Sequence, residues 1–130
     1  MILTLDTSIL IDLEQAIPET IEKLKRLSEL HHSPAHITFI SYFEFYFGIT
    51  GRSPKNYQKA YEFLQKFPVL QPTKRTAEIL AKIKKEHEQK GQTLPLADLL
   101  IVSQVQEHNL LLVTKDKDFQ IFDYIPKVIL

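Results

Sequence analysis

The stretch LLLVTKD, residues 110–116, is the most informative part of the sequence, because an apolar strand there is followed closely by a carboxylate. Leu110–Val113 is the clearest strand candidate in the chain. Its apolar residues are continuous rather than alternating, which is typical of a strand covered on both faces. The preceding residues, LPLADLLIVSQVQEHN at 94–109, predict an apolar helix that Asn109 can end in the left-handed conformation. A helix leading into a doubly buried strand indicates a parallel sheet.

The rest of the chain repeats this alternation of apolar strands and helices. Further strands are predicted at Ile2–Leu5, Ile37–Ile40, Val69–Leu70 and, at an edge, Val128–Leu130. We therefore predict an α/β fold, a three-layer α/β/α sandwich with a short, mainly parallel central sheet. A chain of 130 residues with 44% hydrophobic content can form a core of its own, so residues 1–130 are expected to be a single domain.

Composition excludes several classes of protein. The absence of cysteine excludes disulfides, zinc–thiolate sites and cysteine nucleophiles, and three glycines are too few for a glycine-rich phosphate loop. No apolar run reaches the roughly 18 residues of a membrane helix. The start, MILTLDTSIL, lacks a basic leader, so we expect a cytoplasmic protein without membrane association. Sixteen basic and sixteen acidic residues cancel, which argues against binding nucleic acid by bulk attraction.

Four acidic residues lie in apolar stretches or directly after predicted strands. An ionised carboxylate in such surroundings is costly unless a partner compensates it. In chain order these acids are Asp6, Glu44, Asp98 and Asp116. Each also has a structural interpretation: the first can cap a helix, and the second can close a capping box that starts at Ser41. The third can complement a helix dipole, and the fourth can be a turn residue.

Considered together, the four carboxylates predict a metal site. In a parallel sheet they would meet beyond the carboxyl ends of the strands, where they would repel one another strongly without a cation. No Lys or Arg is embedded in the same apolar stretches. Oxygen ligands without cysteine favour Mg²⁺ or Mn²⁺ over zinc. A metal held in this way binds phosphate oxygens and activates water, which is the chemistry of phosphodiester hydrolysis.

Four motifs in order resemble the PIN-domain family, and within it the VapC-type toxins. They are LDTSILIDL at 5–13, ISYFEFYFGI at 40–49, LPLADLLIVSQVQEHN at 94–109 and LLVTKDKDF at 111–119. Their order and spacing extend the resemblance over nearly the whole chain. One departure is the run Val102–Gln104, where members more often carry small, alanine-like residues.

The resemblance implies a PIN-like fold and a Mg²⁺- or Mn²⁺-dependent endoribonuclease, a hydrolase that leaves 5′-phosphate and 3′-hydroxyl ends. It assigns the catalytic and metal-binding roles to the four acids described above. Other residues are expected to orient these ligands or support the site: Thr7, Ser8, Thr114 and Asp118. The resemblance further implies an RNA substrate, a VapB-type antitoxin whose tail blocks the acidic groove, and a homodimer.

Three other groups of residues bear on function. Arg52 and Lys55 follow the Glu44 helix, and we predict that they contact RNA phosphates. Five aromatic residues between Tyr42 and Phe47 indicate either a core helix or a surface for a second copy or an antitoxin. His31, His32 and His36 resemble a metal cluster, but they lie in a loop interrupted by Pro34 and are not predicted to bind metal.

Alternative functions remain open from the residues alone. One is a PIN-like housekeeping nuclease that processes RNA. Another is a phosphoryl-transfer domain on a similar sheet, although Asp6 lacks the second Asp two residues later that such sites use. A third is a binding module that has lost its activity, against which the presence of all four acids argues.

Overall fold

A five-stranded parallel sheet organises the protein. The structure, a computed structural model, describes residues 1–130. All the strand pairings are parallel, so the predicted α/β/α sandwich is confirmed, with a sheet that is wholly rather than mainly parallel. The strands are β1 (Leu3–Leu5), β2 (His36–Thr38), β3 (Val69–Leu70), β4 (Leu111–Thr114) and β5 (Lys127–Ile129).

Helices cover both faces of the sheet. Alternate residues of one strand point to opposite faces, so Leu111 and Val113 join one apolar cluster and Leu112 joins the other. This two-sided burial explains why the strands are apolar throughout. The helices are α1 (Thr7–Glu14), α2 (Pro18–Leu30), α3 (Phe39–Ile49), α4 (Pro54–Leu64), α5 (Lys74–Gln89) and α6 (Leu96–His108), with a 3₁₀ helix at Lys117–Ile121. None of these helices has both the length and the apolarity needed to span a membrane.

The strand order β3-β2-β1-β4-β5 creates a crevice at the centre of the sheet. From β1 the chain moves outward through β2 and β3 and then returns to place β4 on the other side of β1. Ligand sites in parallel sheets form at such a reversal, beyond the carboxyl ends of the strands. Leu5 is level with Val113, and the Asp6 N–H donates to the Val113 carbonyl at 3.1 Å. The residues that follow β1 and β4 therefore meet at this point.

The junction of β2 and α3 differs from the prediction. The strand ends at Thr38 and the helix begins at Phe39, whereas the apolar pattern predicts strand to Ile40 and helix from Ser41. Thr38 is the helix cap, since its hydroxyl accepts from the Ser41 N–H at 3.2 Å. The capping box starting at Ser41 is therefore wrong. Short apolar runs fit a strand or a helix equally well, and only the cap resolves the boundary.

Two predicted helix ends are confirmed. Gly91 has a φ of +76° just beyond α5, and Asn109 has a φ of +52° at the end of α6. Glycine adopts the left-handed conformation without a steric penalty, and asparagine is the residue that most often replaces it. Asn109 therefore turns the chain from α6 directly into β4, which places the first turn of α6 at the same edge of the sheet as the end of β4.

Candidate active site

Asp6 lies at the centre of the candidate site, between β1 and β4. Its side chain is buried, and Oδ1 accepts from the Ser8 N–H at 3.1 Å and from the Ser8 hydroxyl at 2.5 Å. Oδ2 accepts from the Thr114 hydroxyl. Asp6 also caps α1, so its structural interpretation as a helix cap is confirmed. Burial raises the pKa of Asp6, and the hydrogen bonds from Ser8 and Thr114 oppose this rise.

Glu44 reaches the same edge from the second turn of α3. The Thr7 hydroxyl, on the first residue of α1, donates to Glu44 Oε1 at 2.7 Å. The side chain therefore points toward α1 rather than back to the start of its own helix. Thr7 and Ser8 each hold one acid, because adjacent residues at a helix start point in different directions.

Asp98 and Asp116 complete the set of predicted acids. Asp98 is half-buried in the first turn of α6. Asp116 is exposed after β4, where its N–H donates to the Thr114 hydroxyl at 2.9 Å. The Asp116 carboxylate in turn accepts from the Asp118 N–H at 2.9 Å, so Asp118 supports the turn through its backbone. Thr114 thus joins Asp6 to Asp116.

The acidic cluster, defined as Asp6, Glu44, Asp98 and Asp116, carries no compensating cation. None of its members takes part in any of the ion pairs of the protein. Burial, followed by the negative charges of neighbouring acids, raises the pKa of Asp98 to about 6. In order of effect, these acids are Asp116, Glu44, Asp118 and Asp6. The ends of β1 and β4, together with α3 and α6, therefore bring the predicted acids within electrostatic reach of Asp98.

The residues of the cluster fit a hard divalent cation. Every donor is a carboxylate oxygen, and Asp6 Oδ2 retains a free lone pair beside the Thr114 hydroxyl. No three acidic or histidine side chains are already arranged as a closed metal-binding group. A cation bound there would offset the repulsion among the carboxylates.

Asp12 is a buried acid near the site that the sequence analysis missed. It is 8% exposed, and its Oδ2 accepts from the Thr20 hydroxyl at 2.5 Å and from the Lys115 ammonium at 2.8 Å. The hydrogen bond from Lys115 lowers the pKa of Asp12, with Thr20 acting in the same direction. The signal was present in the sequence, because Asp12 also lies in an apolar stretch, ILIDL.

Of the two predicted RNA-binding residues, the structure brings only Arg52 to the site. Arg52 lines an open groove of about 200 Å³ together with Thr7, Glu44 and Ile11. Its guanidinium pairs with Glu14 at 2.7 Å. Lys55 is exposed in the first turn of α4 and does not line this groove.

The three clustered histidines lie apart from the acids. His31 Nδ1 lies 3.0 Å from the amino terminus, and His36 Nδ1 lies 3.0 Å from the Pro34 carbonyl oxygen. These contacts tie down the chain around the loop before β2. They place no histidine in the acidic cluster.

The fold and the site define an α/β protein with a carboxylate cluster at the central crevice of a parallel sheet. The chain belongs to the PIN domain family, whose sequence profile matches residues 3–123. This match confirms the family resemblance of the four motifs. No curated protein matches the chain by sequence.

Solved structures of similar fold support this assignment. A chain of VapBC-1 from nontypeable Haemophilus influenzae is 26% identical, with a TM-score of 0.81 and coverage of 99% of this chain and 98% of that one. A chain of VapBC2 from Rickettsia felis, bound to a DNA fragment from their promoter, is 23% identical, with a TM-score of 0.85 and coverage of 100% and 99%. A chain of DNA-bound VapBC from Salmonella typhimurium is 21% identical, with a TM-score of 0.81 and coverage of 98% and 97%.

The first prediction concerns the charge of Asp98 without metal. We expect its carboxyl group to titrate near pH 6, against an ordinary value of 3.8, and Asp116→Asn to lower this pKa by removing a neighbouring charge. Carboxyl carbon NMR measures both values. Because the folded pKa is raised, the metal-free protein should lose stability as the pH rises through about 6. Asp123→Asn, an exposed acid outside the cluster, is the control; an Asp98 pKa near 3.8 would contradict the prediction.

Proposed function

We propose that the protein is a Mg²⁺- or Mn²⁺-dependent endoribonuclease and the toxin of a VapBC-type toxin–antitoxin pair. One observation carries this proposal: carboxylates from the ends of β1 and β4, from α3 and from α6 lie within electrostatic reach of Asp98 without a paired basic side chain, in a chain of the PIN domain family. Carboxylate-held metal ions are suited to hydrolysis of phosphodiester bonds. The likeness to chains of VapBC structures supports the toxin assignment over a housekeeping role.

The acids of the cluster would hold a cation, and neighbouring hydroxyl groups would orient these acids. A bound Mg²⁺ or Mn²⁺ would supply positive charge at the scissile phosphate and lower the pKa of a water. Asp6, Asp98, Asp116 and Glu44 would hold it. Ser8 and Thr114 fix Asp6 by hydrogen bonds, and Thr7 fixes Glu44. Fixed ligand orientation of this kind commonly changes metal affinity or activity ten- to a hundredfold.

RNA would approach through the groove that borders the cluster. Arg52 is the cation that lines this groove beside Glu44, so a phosphate can compete with Glu14 for its guanidinium. The zero net charge means that bulk attraction contributes little. Engagement of RNA would therefore depend on local contacts and on cation in the cluster.

The same groove suits a VapB-type antitoxin segment. Its walls combine the apolar side chains of Ile11, Phe45 and Ile49 with the charged groups of Glu44 and Arg52. A segment bound there would cover the acidic cluster. Copurification with the product of an adjacent short reading frame tests this partner, and Ile11→Asp should abolish it. Copurification unaffected by Ile11→Asp would place the partner elsewhere.

A separate apolar stripe on α3 is proposed as the homodimer surface. Phe39, Phe43 and Phe47 recur every four residues along one side of the helix, and Phe43 and Phe47 are 54% and 69% exposed with their rings stacked at 5.9 Å. Phe45 instead enters the core, so one face of this helix packs inside the protein and another is exposed. Exposed aromatic patches of this kind favour association.

The second prediction tests catalysis. Asp6→Asn and Asp98→Asn should each reduce Mg²⁺-dependent cleavage of RNA by roughly a hundredfold or more, because each removes a charge that holds the cation. Asparagine caps helices as well as aspartate does, so Asp6→Asn should keep α1 folded. Gel analysis of a structured RNA measures cleavage, with Glu86→Gln on exposed α5 as control. Undiminished cleavage by either Asn variant would contradict the assignment.

The third prediction separates the two candidate RNA contacts. In an Asp98→Asn background, Arg52→Gln should weaken RNA binding and reduce the slope of log affinity against log salt by about 1. Lys55→Gln should change neither quantity, since its side chain does not line the groove. Fluorescence anisotropy at several salt concentrations measures both. Equal effects of the two substitutions would contradict the proposal that RNA binds along this groove.

The fourth prediction tests the apolar stripe. The wild-type protein should sediment as a dimer, and Phe43→Ser with Phe47→Ser should sediment as a monomer, because the exposed aromatic area is lost. Leu30→Ser, at the exposed end of α2, is a control of similar exposure and should remain dimeric. A wild-type monomer, or a dimer unaffected by the double substitution, would rule out this surface.

A further inference from the structure

A partly exposed ion pair ties the turn after β4 to α1. Asp12 accepts from Lys115 at 2.8 Å and from Thr20 on α2 at 2.5 Å. The Lys115 side chain is 45% exposed, and ion pairs with an exposed partner add little net stability. The position of the pair is more informative, because Lys115 cannot pair with Asp12 and with an acid of the cluster at the same time.

Lys115 is adjacent in sequence to Asp116, an acid of the cluster. It stands between Thr114, which donates to Asp6, and Asp116. Its own backbone N–H donates to the Ser8 hydroxyl at 3.0 Å, and that hydroxyl donates to Asp6. The backbone of Lys115 therefore belongs to the network around Asp6, whereas its ammonium group is drawn to Asp12.

The pairing with Asp12 engages a cation that adjoins the cluster in sequence. No acid of the cluster pairs with Lys115 or with any other basic side chain. Lysine has a long, flexible side chain that carries a compact charge, so its ammonium group can move when its partner is removed. Four unpaired carboxylates would attract such a charge strongly. An ammonium group among them would compete with a divalent cation.

We propose that Asp12 is a positioning residue that holds the Lys115 ammonium outside the acidic cluster and so keeps the cluster free to bind a divalent cation. This inference rests on the proposed function, because it takes the cluster to be the cation site. It adds a role for a residue outside the cluster. The Thr20 hydroxyl also donates to Asp12 Oδ2, but the proposed role depends on the Asp12–Lys115 pair and not on this contact.

The test is a calorimetric titration of the full chain with Mn²⁺ in the absence of RNA. Asp12→Asn should weaken Mn²⁺ binding by about tenfold or more, in the range typical of residues that support metal ligands. Lys115→Met should bind Mn²⁺ at least as tightly as the wild type. The double variant, Asp12→Asn with Lys115→Met, should recover the wild-type affinity to within about threefold, because the competing charge is gone.

Two controls separate positioning from a purely structural role. Thr20→Val removes the hydroxyl contact but keeps the Asp12–Lys115 pair, and it should leave Mn²⁺ affinity close to that of the wild type. Circular dichroism checks the fold of each variant, and Asp12→Ser, which keeps a polar partner for Thr20, replaces Asp12→Asn if the latter does not fold. Recovery of affinity in the double variant cannot come from restored packing, since the Asp12 carboxylate is still absent.

The outcomes distinguish this inference from the proposed function. A wild-type protein that binds no Mn²⁺ overturns the metal site and the inference together. Wild-type binding that is unchanged in Asp12→Asn overturns the inference alone. Equal loss in Asp12→Asn and in the double variant also overturns it, because Asp12 would then act only through the packing of α1 against α2.

Discussion

The Asp6 carboxylate accepts hydrogen bonds at both oxygens, and the arrangement of the candidate site depends on this one group. Through Ser8 it begins α1, and through Thr114 it joins the end of β1 to the end of β4. The position of Asp6 follows from the strand order, since β1 and β4 are neighbours on either side of the reversal in topology. A capping residue and a candidate metal ligand are therefore the same side chain, and the hydrogen bonds that start the helix also fix the ligand.

Electrostatic separation is the second constraint on the site. Acids gather at the crevice without paired basic side chains, while two basic groups near them are paired with other acids: Lys115 with Asp12, and Arg52 with Glu14. Both partners, Asp12 and Glu14, lie on α1. The chain has equal numbers of basic and acidic residues, but negative charge is in local excess at the crevice. Burial, together with repulsion within that excess, raises the pKa of Asp98, and the repulsion favours a cation there.

Much of the fold and the position of the site follow from the sequence by simple physical rules. Continuous apolar strands predicted a parallel sheet, and acids after two of those strands predicted where a site would form. The boundary between β2 and α3 was wrong because Ile40 suits either state, and only the Thr38 hydroxyl decides where the helix begins. Glu44 was placed at the correct edge, but its hydrogen-bond partner could not be predicted, since Thr7 is 37 residues away.

The role of Asp12 illustrates a limit of the same kind. Its apolar neighbours mark it as a carboxylate that needs a partner, but its partners lie on α2 and beyond β4, and neither is local in sequence. Arg52 and Lys55 are three residues apart and chemically similar, yet only one lines the groove, because Ser53 caps a new helix between them. Such distinctions depend on tertiary packing, which periodicity and spacing do not encode.

The function proposed for this protein requires that the carboxylates at the crevice between β1 and β4 bind a divalent cation. A crystal soaked in Mn²⁺ and measured at a wavelength with strong manganese anomalous scattering locates any bound ion. We expect an anomalous peak within coordination distance, about 2.0–2.3 Å, of oxygens from Asp6, Asp98 or Asp116. A peak found only elsewhere on the protein, or no peak at a Mn²⁺ concentration that supports RNA cleavage, would contradict it.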